Sequence, residues 1–431
     1  MRRALCSLAA CLVAWCQAGA GEDVVLGTKV GTVDVQLFIP GEARVLRGLL
    51  VHAAHYKLSS TDRWAEVCRT LGFGHAALNI NLKETNRPVK LRKALDEGLK
   101  EFAAKSAHPE LVNLPFAGVG HSAGGLVSPT LLKTPERTLT TCVSCGWIAD
   151  PAKLTPEAAA VPHAFTLGAI PDDFKMLPGI EANFLPARKQ GRPWGLVVQW
   201  ECAHDWGNSA AFFVPWTVAV AEARIPKDWD PLAGPPKLNE MKQEDGWLGD
   251  RATVDGNFAT VAPWADYQGD KALASWFPNR YVACVWRAMM SKESPVVLEL
   301  AAADGSAKLA GYNPKADRTV MVNHGLDIVL IAAVKEGFGV KGVAFYDGDR
   351  LIGEATQAPW QFTWKNPGRG PHAVFAQWTA PDGKHGVSNP ALVVVRSGGP
   401  PSARPSSLLG PGARAGYNAA AVSRDHRGGR S

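Results

Sequence analysis

Residues 115–125 read Pro-Phe-Ala-Gly-Val-Gly-His-Ser-Ala-Gly-Gly, and Gly120-His121-Ser122-Ala123-Gly124 at their centre constrains the fold more than any other stretch. A serine flanked two positions away on each side by glycine fits a sharp strand-to-helix turn. There the strand and helix approach so closely that neighbouring side chains cannot be accommodated. The flanks agree with such a turn. The apolar run 114–119 predicts a short buried strand leading in, and 126–132 carries helix-compatible spacing up to Pro135, which stops it. Ser122 is therefore the candidate nucleophile.

The surrounding chain supplies further strands with loops at their ends. An apolar strand at 47–51 runs into His52-Ala53-Ala54-His55, where small residues let backbone approach a ligand oxygen. The pair His52 and His55 lacks a third ligand type and does not make a metal site. A second apolar run, 163–167, places His163 inside or beneath a sheet and leads to Gly168-Ala169-Ile170-Pro171-Asp172-Asp173. A third, 194–200, enters after Pro193 and is followed by His204 and then by an apolar-periodic helix over 208–223 with Pro215 inside it. His204 thus sits on the loop after a late strand.

With the elbow at 120–124, the early loop at 52–55 and the late segment Glu201-Cys-Ala-His-Asp-Trp-Gly-Asn208, residues 25–225 resemble the α/β-hydrolase superfamily. The resemblance is to secreted bacterial esterases and lipases of the dienelactone-hydrolase or polyester-depolymerase-like kind. Dienelactone hydrolases proper carry cysteine at the elbow, where this chain has Ser122. The resemblance implies a mostly parallel sheet flanked by helices and a triad in the order nucleophile, acid, histidine. Its members would be Ser122, Asp172 and His204, with Asp173 and Asp150 as alternatives for the acid and Asp205 pointing away from its neighbour His204. The oxyanion hole would use the amide of Ala123 and that of Ala53 or Ala54. The implied activity is serine carboxylic ester hydrolysis on a small ester or acylated polymer, without metal or organic cofactor. A catalytically inactive polymer-binding or adhesion protein, and a serine peptidase of the same fold, are the alternatives.

The length calls for more than one domain. Pro226, Pro231, Pro235 and Pro236 make 226–245 a stiff linker. Residues 246–314 form an aromatic-rich segment with Trp247, Trp264, Trp276, Trp286, Tyr267 and Tyr281, fitting an interdomain packing layer better than a sugar-stacking platform. Within it, 281–290 is compatible with strand or helix. From 315 to 396, short apolar runs at 327–334, 340–346, 360–364, 373–378 and 391–395 alternate with turn chemistry such as Asp347-Gly348-Asp349 and Asp382-Gly383-Lys384. This pattern predicts a small β-sandwich. Together with the phrase Val343-Ala-Phe-Tyr-Asp-Gly-Asp-Arg-Leu-Ile-Gly353 it resembles the bacterial Ig-like modules appended to secreted enzymes. Such modules serve as spacers, docking units or polymer binders, so the resemblance implies an architecture that leaves contact with a polysaccharide or cell surface open rather than a particular ligand. The fold class expected is α/β followed by an all-β Ig-like sandwich.

The ends of the chain set its expected compartment. Arg2 and Arg3, the apolar stretch 4–16 and Ala18-Gly19-Ala20 make 1–20 a secretory signal peptide cleaved near Ala20, giving a secreted or periplasmic protein. Trp15 before Cys16 does not fit a lipobox. No later run reaches the roughly 18 apolar residues of a transmembrane helix. Arg2, Arg3 and the tail 397–431, with five arginines and one aspartate, account for the formal net charge of +6. The body between them is near neutral and lacks the footprint of a nucleic-acid binder. The Gly-, Pro- and Ser-rich tail is expected to be disordered. Beyond the signal lie Cys68, Cys142, Cys145, Cys202 and Cys284, an odd number in an oxidising compartment. Cys142 and Cys145, three apart on an expected strand at 139–147, would lie about 10 Å apart on opposite faces and are read as core.

Overall fold

The structure is a computed structural model that describes residues 22–170, 174–251, 258–305, 308–310 and 317–396. The expected signal peptide and tail lie outside this range, as do Asp172 and Asp173. The described residues fall within one compact unit.

An eight-stranded sheet organises the first half. Its strands are β1 (Val24–Val30), β2 (Val33–Ile39), β3 (Gly48–Ala53), β4 (Phe73–Asn79), β5 (Phe116–His121), β6 (Thr138–Ser144), β7 (His163–Gly168) and β8 (Trp194–Gln199), in the spatial order β1-β2-β4-β3-β5-β6-β7-β8. β2 runs antiparallel to both β1 and β4, and all pairs from β4 to β8 are parallel. This order defines the α/β-hydrolase fold.

The crossover helices are α1 (Arg63–Leu71), α2 (Arg87–Lys105), α3 (Val127–Leu131), the single turn α4 (Pro156–Ala159), α5 (Leu177–Lys189) and α6 (Ser209–Arg224). Local chemistry sets their ends. Asp62 caps α1 by accepting from the Ala65 amide, and Gly72 closes it at φ +65°. The buried stripe Leu91, Ala94, Leu95, Leu99 and Phe102 of α2 covers one sheet face. Burying each such large side chain contributes about 1.5–3 kcal/mol.

The helix α6 is different, because nearly every residue from Ser209 to Val220 is buried. A helix apolar all round must be covered on both sides. Here the sheet covers one side and the following segment covers the other. That segment holds a three-stranded sheet of β9 (Trp247–Gly249), β10 (Val261–Pro263) and β11 (Ser275–Phe277), and the helix α7 (Arg280–Met289). Asn279 caps α7 through the Val282 amide, which resolves the ambiguous run 281–290 as helix. Trp276 and Trp286 are fully buried, and Trp286 Nε1 donates to the Leu196 carbonyl at 2.8 Å. Ser275 Oγ accepts from the Leu196 amide and donates to its carbonyl, both at 3.1 Å. Side chains of the aromatic segment thereby engage strand β8.

The expected spacer at 226–245 is packed on the hydrolase sheet. Arg47 donates to the Pro226 and Trp229 carbonyls, and Asn113 to that of Pro231. Its prolines remove donors that would otherwise need partners in such a strap.

The last part is a two-sheet sandwich. One sheet contains β12 (Val296–Ala302), β13 (Lys308–Ala310), β15 (Ile328–Val334) and β18 (Gln361–Trp364). The other contains β14 (Thr319–Asn323), β16 (Gly342–Asp347), β17 (Arg350–Ala355), β19 (Gly370–Thr379), β20 (His385–Val387) and β21 (Ala391–Arg396). Between them lie Leu298, Leu300, Leu330, Phe345, Ala376, Trp378 and Val393. The sandwich starts at Val296, well before residue 315, because β12 pairs along its whole length with β15.

Candidate active site

Ser122 stands immediately after β5 with φ +52°, a conformation that L-residues adopt only when the surroundings impose it. The neighbouring glycines show what imposes it. A Cβ on Gly120 would lie 2.1 Å from the Gly124 carbonyl oxygen, and one on Gly124 would lie 2.9 Å from the Ala53 oxygen. The turn is therefore too tight for a side chain at either position, and Ser122 is presented at the carboxyl end of the sheet. His204 comes from the loop between β8 and α6. Its Nε2 lies 2.8 Å from Ser122 Oγ. The structure thus brings together two residues 82 positions apart in the sequence.

The loop bearing His204 is held at its base. Gln199 Oε1 accepts from the Asn208 amide at 2.7 Å, and Gln199 Nε2 donates to Ser209 Oγ at 3.0 Å. Ser209 Oγ also meets Thr166 Oγ1 at 2.7 Å and donates to Ser144 Oγ at 3.1 Å, so a buried polar row crosses the ends of β6, β7 and β8. Ser144 Oγ lies 3.4 Å from His121 Nδ1, beside the nucleophile. The His121 ring stacks on Trp206 with centroids 5.3 Å apart. Sequence reasoning missed this row. Its signal was a polar residue near the carboxyl end of each strand-like run, at Ser144, Thr166 and Gln199.

The candidate acids separate. The chain leading towards Asp172 is described as far as Ile170, whose amide donates to the Cys202 carbonyl at 2.9 Å; the preceding amide of Ala169 donates to the Gln199 carbonyl at 2.9 Å. Asp150 caps its own turn through the Ala152 amide at 3.0 Å and pairs with Lys153 at 3.2 Å. Asp205 accepts from the Trp206 amide at 2.6 Å, folded onto its own loop.

The early loop requires a correction. The Ala54 amide donates to the Leu78 carbonyl at 2.7 Å, which takes it away from any oxyanion, and Ala53 is the last residue of β3, paired with Leu78 in the ladder. The strand runs further than its sequence pattern suggests. Ala54 and His55 both have positive φ, +57° and +58°, and the next amide, of Tyr56, donates to Asn79 Oδ1 at 3.0 Å. His52 points into the protein, its Nδ1 2.8 Å from Nε2 of His75 and its ring stacked on Tyr56 at 3.9 Å. Burial pushes the His75 imidazole down to about 4 and lowers His52 as well, so both are neutral core groups. No cluster of three or more potential ligand side chains is found among the described residues.

All five cysteines considered above are buried except Cys284, and Sγ of both Cys145 and Cys202 approaches the Asp205 carbonyl, at 3.6 and 3.8 Å. Cys142 lies in β6. Cys145 falls just beyond the strand at φ +47°, which corrects its expected place within it.

An open cleft of about 710 Å³ adjoins the nucleophile. Leu126, Pro129 and Trp147 form its apolar part, and residues 84–88 also line it. Trp147 is 54% exposed, the largest such side chain beside Ser122.

Fold and site together define an α/β-hydrolase-fold protein with a C-terminal bacterial Ig-like domain. Residues 312–387 match the bacterial Ig domain family. No curated protein sequence matches significantly. Among solved structures, a dienelactone hydrolase from Anabaena variabilis is 18% identical, with 47% of this chain and 95% of that one covered and a TM-score of 0.30. A carboxyl esterase from Tuber melanosporum is 12% identical, covering 43% and 78%, at a TM-score of 0.29. The fibronectin(III)-like modules of Clostridium thermocellum CbhA are 27% identical over 23% of this chain and 93% of theirs, at a TM-score of 0.18.

Proposed function

We propose that this protein is a secreted or periplasmic serine hydrolase that cleaves carboxylic esters. The observation that carries the reading is the 2.8 Å approach of His204 Nε2 to Ser122 Oγ at an elbow that holds Ser122 at φ +52°. In the mechanism His204 Nε2 removes the Ser122 hydroxyl proton as Oγ attacks the acyl carbon. The imidazolium then returns that proton to the departing alkoxide, and water, activated by the same nitrogen, releases the acid from the acyl-enzyme.

Asp172 is the proposed partner of His204. The bond from Ile170 to Cys202 supports this choice, since it joins two strands of chain two residues short of Asp172 and of His204 respectively. The Ala123 amide supplies one oxyanion donor. The second is assigned to the His55 amide, which lies between the anchored amides of Ala54 and Tyr56. The open, partly apolar cleft with its exposed tryptophan suits a bulky or polymeric ester.

The test is turnover of p-nitrophenyl esters of increasing acyl length by the wild type, Ser122→Ala and His204→Ala, with fluorophosphonate labelling alongside. Loss of turnover on the order of 10⁴-fold or more in both variants, with folding retained, is expected. A wild type that neither turns over nor labels above the Ser122→Ala background would defeat the reading.

A further inference from the structure

The loop carrying His204 spans residues 200–208, and its two ends are fixed by different parts of the molecule. On the inner side the Cys202 amide donates to the Gln199 carbonyl at 3.2 Å, while the Gln199 side chain takes the Asn208 amide, as described. The outer end is Asn208, the N-cap residue of α6. Asparagine at this position ordinarily accepts a hydrogen bond from the first turn of its own helix. Asn208 makes no such cap. Its Nδ2 donates instead to the Pro390 carbonyl at 2.5 Å.

Pro390 immediately precedes β21 of the Ig-like sandwich. Its carbonyl also accepts from Arg318 Nη1 at 3.2 Å, and the same nitrogen donates to the Asn389 carbonyl at 3.1 Å. Arg318 is buried within the sandwich and donates to the Leu298 carbonyl through Nη2. The acceptor for Asn208 is thus held from the sandwich side by a rigid planar fork. Between His204 and Asn208 the chain passes through Gly207 at φ +47°, where a side chain would collide with Cys202 Sγ and Gln199 Oε1. The loop has little freedom once both ends are pinned.

We propose that Asn208 is a positioning residue through which the Ig-like module anchors the His204 loop and keeps the imidazole within reach of Ser122. The inference rests on the reading of Ser122 and His204 as nucleophile and base. It makes the module part of the catalytic apparatus rather than a detachable spacer.

The test compares full-length wild type with Asn208→Ser and Asn208→Asp. Serine and aspartate cap helices as well as asparagine does. If Asn208 serves only α6, both variants keep or gain stability and turn over normally. If it positions His204, Asn208→Ser loses on the order of 10- to 100-fold in kcat with KM within about twofold, because small displacements of a reacting group are costly. Asn208→Asp, with a carboxylate facing the Pro390 oxygen, loses more. Fluorophosphonate labelling of Ser122 slows in parallel.

Wild-type turnover and labelling in Asn208→Ser would overturn the proposal. Should that variant not fold, Pro390→Gly loosens the same anchor from the sandwich side, leaves α6 unaltered and is read in the same way. A wild type without turnover or labelling sinks the hydrolase reading and this inference together; an active wild type with an unaffected Asn208→Ser sinks the inference alone.

Discussion

Gly120 and Gly124 close on each other across the turn that presents Ser122, so that a Cβ on Gly120 would meet the Gly124 carbonyl oxygen at 2.1 Å. No rotamer change can relieve a collision with backbone. Gly120→Ala is expected to lose about 3 kcal/mol or more of stability, and activity with it. Gly124→Ala meets the Ala53 oxygen at 2.9 Å and is expected to lose about 1–2 kcal/mol. Urea denaturation of the two variants checks the ranking, and an equal cost would contradict the geometry.

Buried histidine gives the fold an acid limit. Burial pushes the His163 imidazole down to about 3, with Thr141 Oγ1 2.5 Å from its Nδ1. The folded state therefore keeps it neutral while the unfolded chain protonates near pH 6.5. The unfolded state binds more protons throughout the window from about pH 6.5 down to about pH 3, so stability falls as pH falls. Between pH 7 and pH 5 this single group is expected to cost about 2 kcal/mol. Unfolding free energies of wild type and His163→Gln at the two pH values should differ in slope by that amount; parallel curves would exclude the effect.

Trp147 is the exposed apolar wall of the cleft next to Ser122. Trp147→Ala is expected to raise KM for bulky or aromatic esters about 5- to 10-fold, the loss of roughly 1 kcal/mol of ring contact, and to leave kcat for a short acetate ester unchanged. Steady-state kinetics on matched short and bulky esters decide this. A uniform fall in kcat would show instead that the substitution disturbs the elbow.

The helix α7 is fastened to the sandwich through Tyr281, whose hydroxyl donates to Asp347 Oδ1 at 2.5 Å and accepts from the Ala373 amide at 2.8 Å. Asp347 is buried and also meets His372 Nδ1 at 2.8 Å. Tyr281→Phe removes one donor from a buried carboxylate and one acceptor from a buried amide. The expected cost is about 1–3 kcal/mol. Denaturation monitored by tryptophan fluorescence measures it, and an unchanged midpoint would argue that water replaces the hydroxyl.

Much of the architecture was legible in the residues alone, because it rests on local rules. The glycines around Ser122 could serve only a tight turn. The run before His204 had to be a buried strand, and the alternating stretches of 327–395 read as sandwich strands, since period and turn chemistry belong to the chain itself. The sequence also singled out His204 by its place after a late strand. Other features exist only when distant segments meet. The amide of Ala54 is claimed by Leu78 because β3 and β4 pair two residues further than hydrophobicity indicates. The strand β12 joins the sandwich through its pairing with β15 across an intervening stretch no local pattern bridges. Asn208 donates to the Pro390 carbonyl, 182 residues away, instead of accepting from its own helix, a choice that only packing can make. Local sequence therefore determined the elements and the turn bearing the candidate nucleophile. Tertiary contact decided which polar groups are spent on the fold and which remain for chemistry, since a hydrogen-bonding group is allocated by the neighbours that reach it first in space.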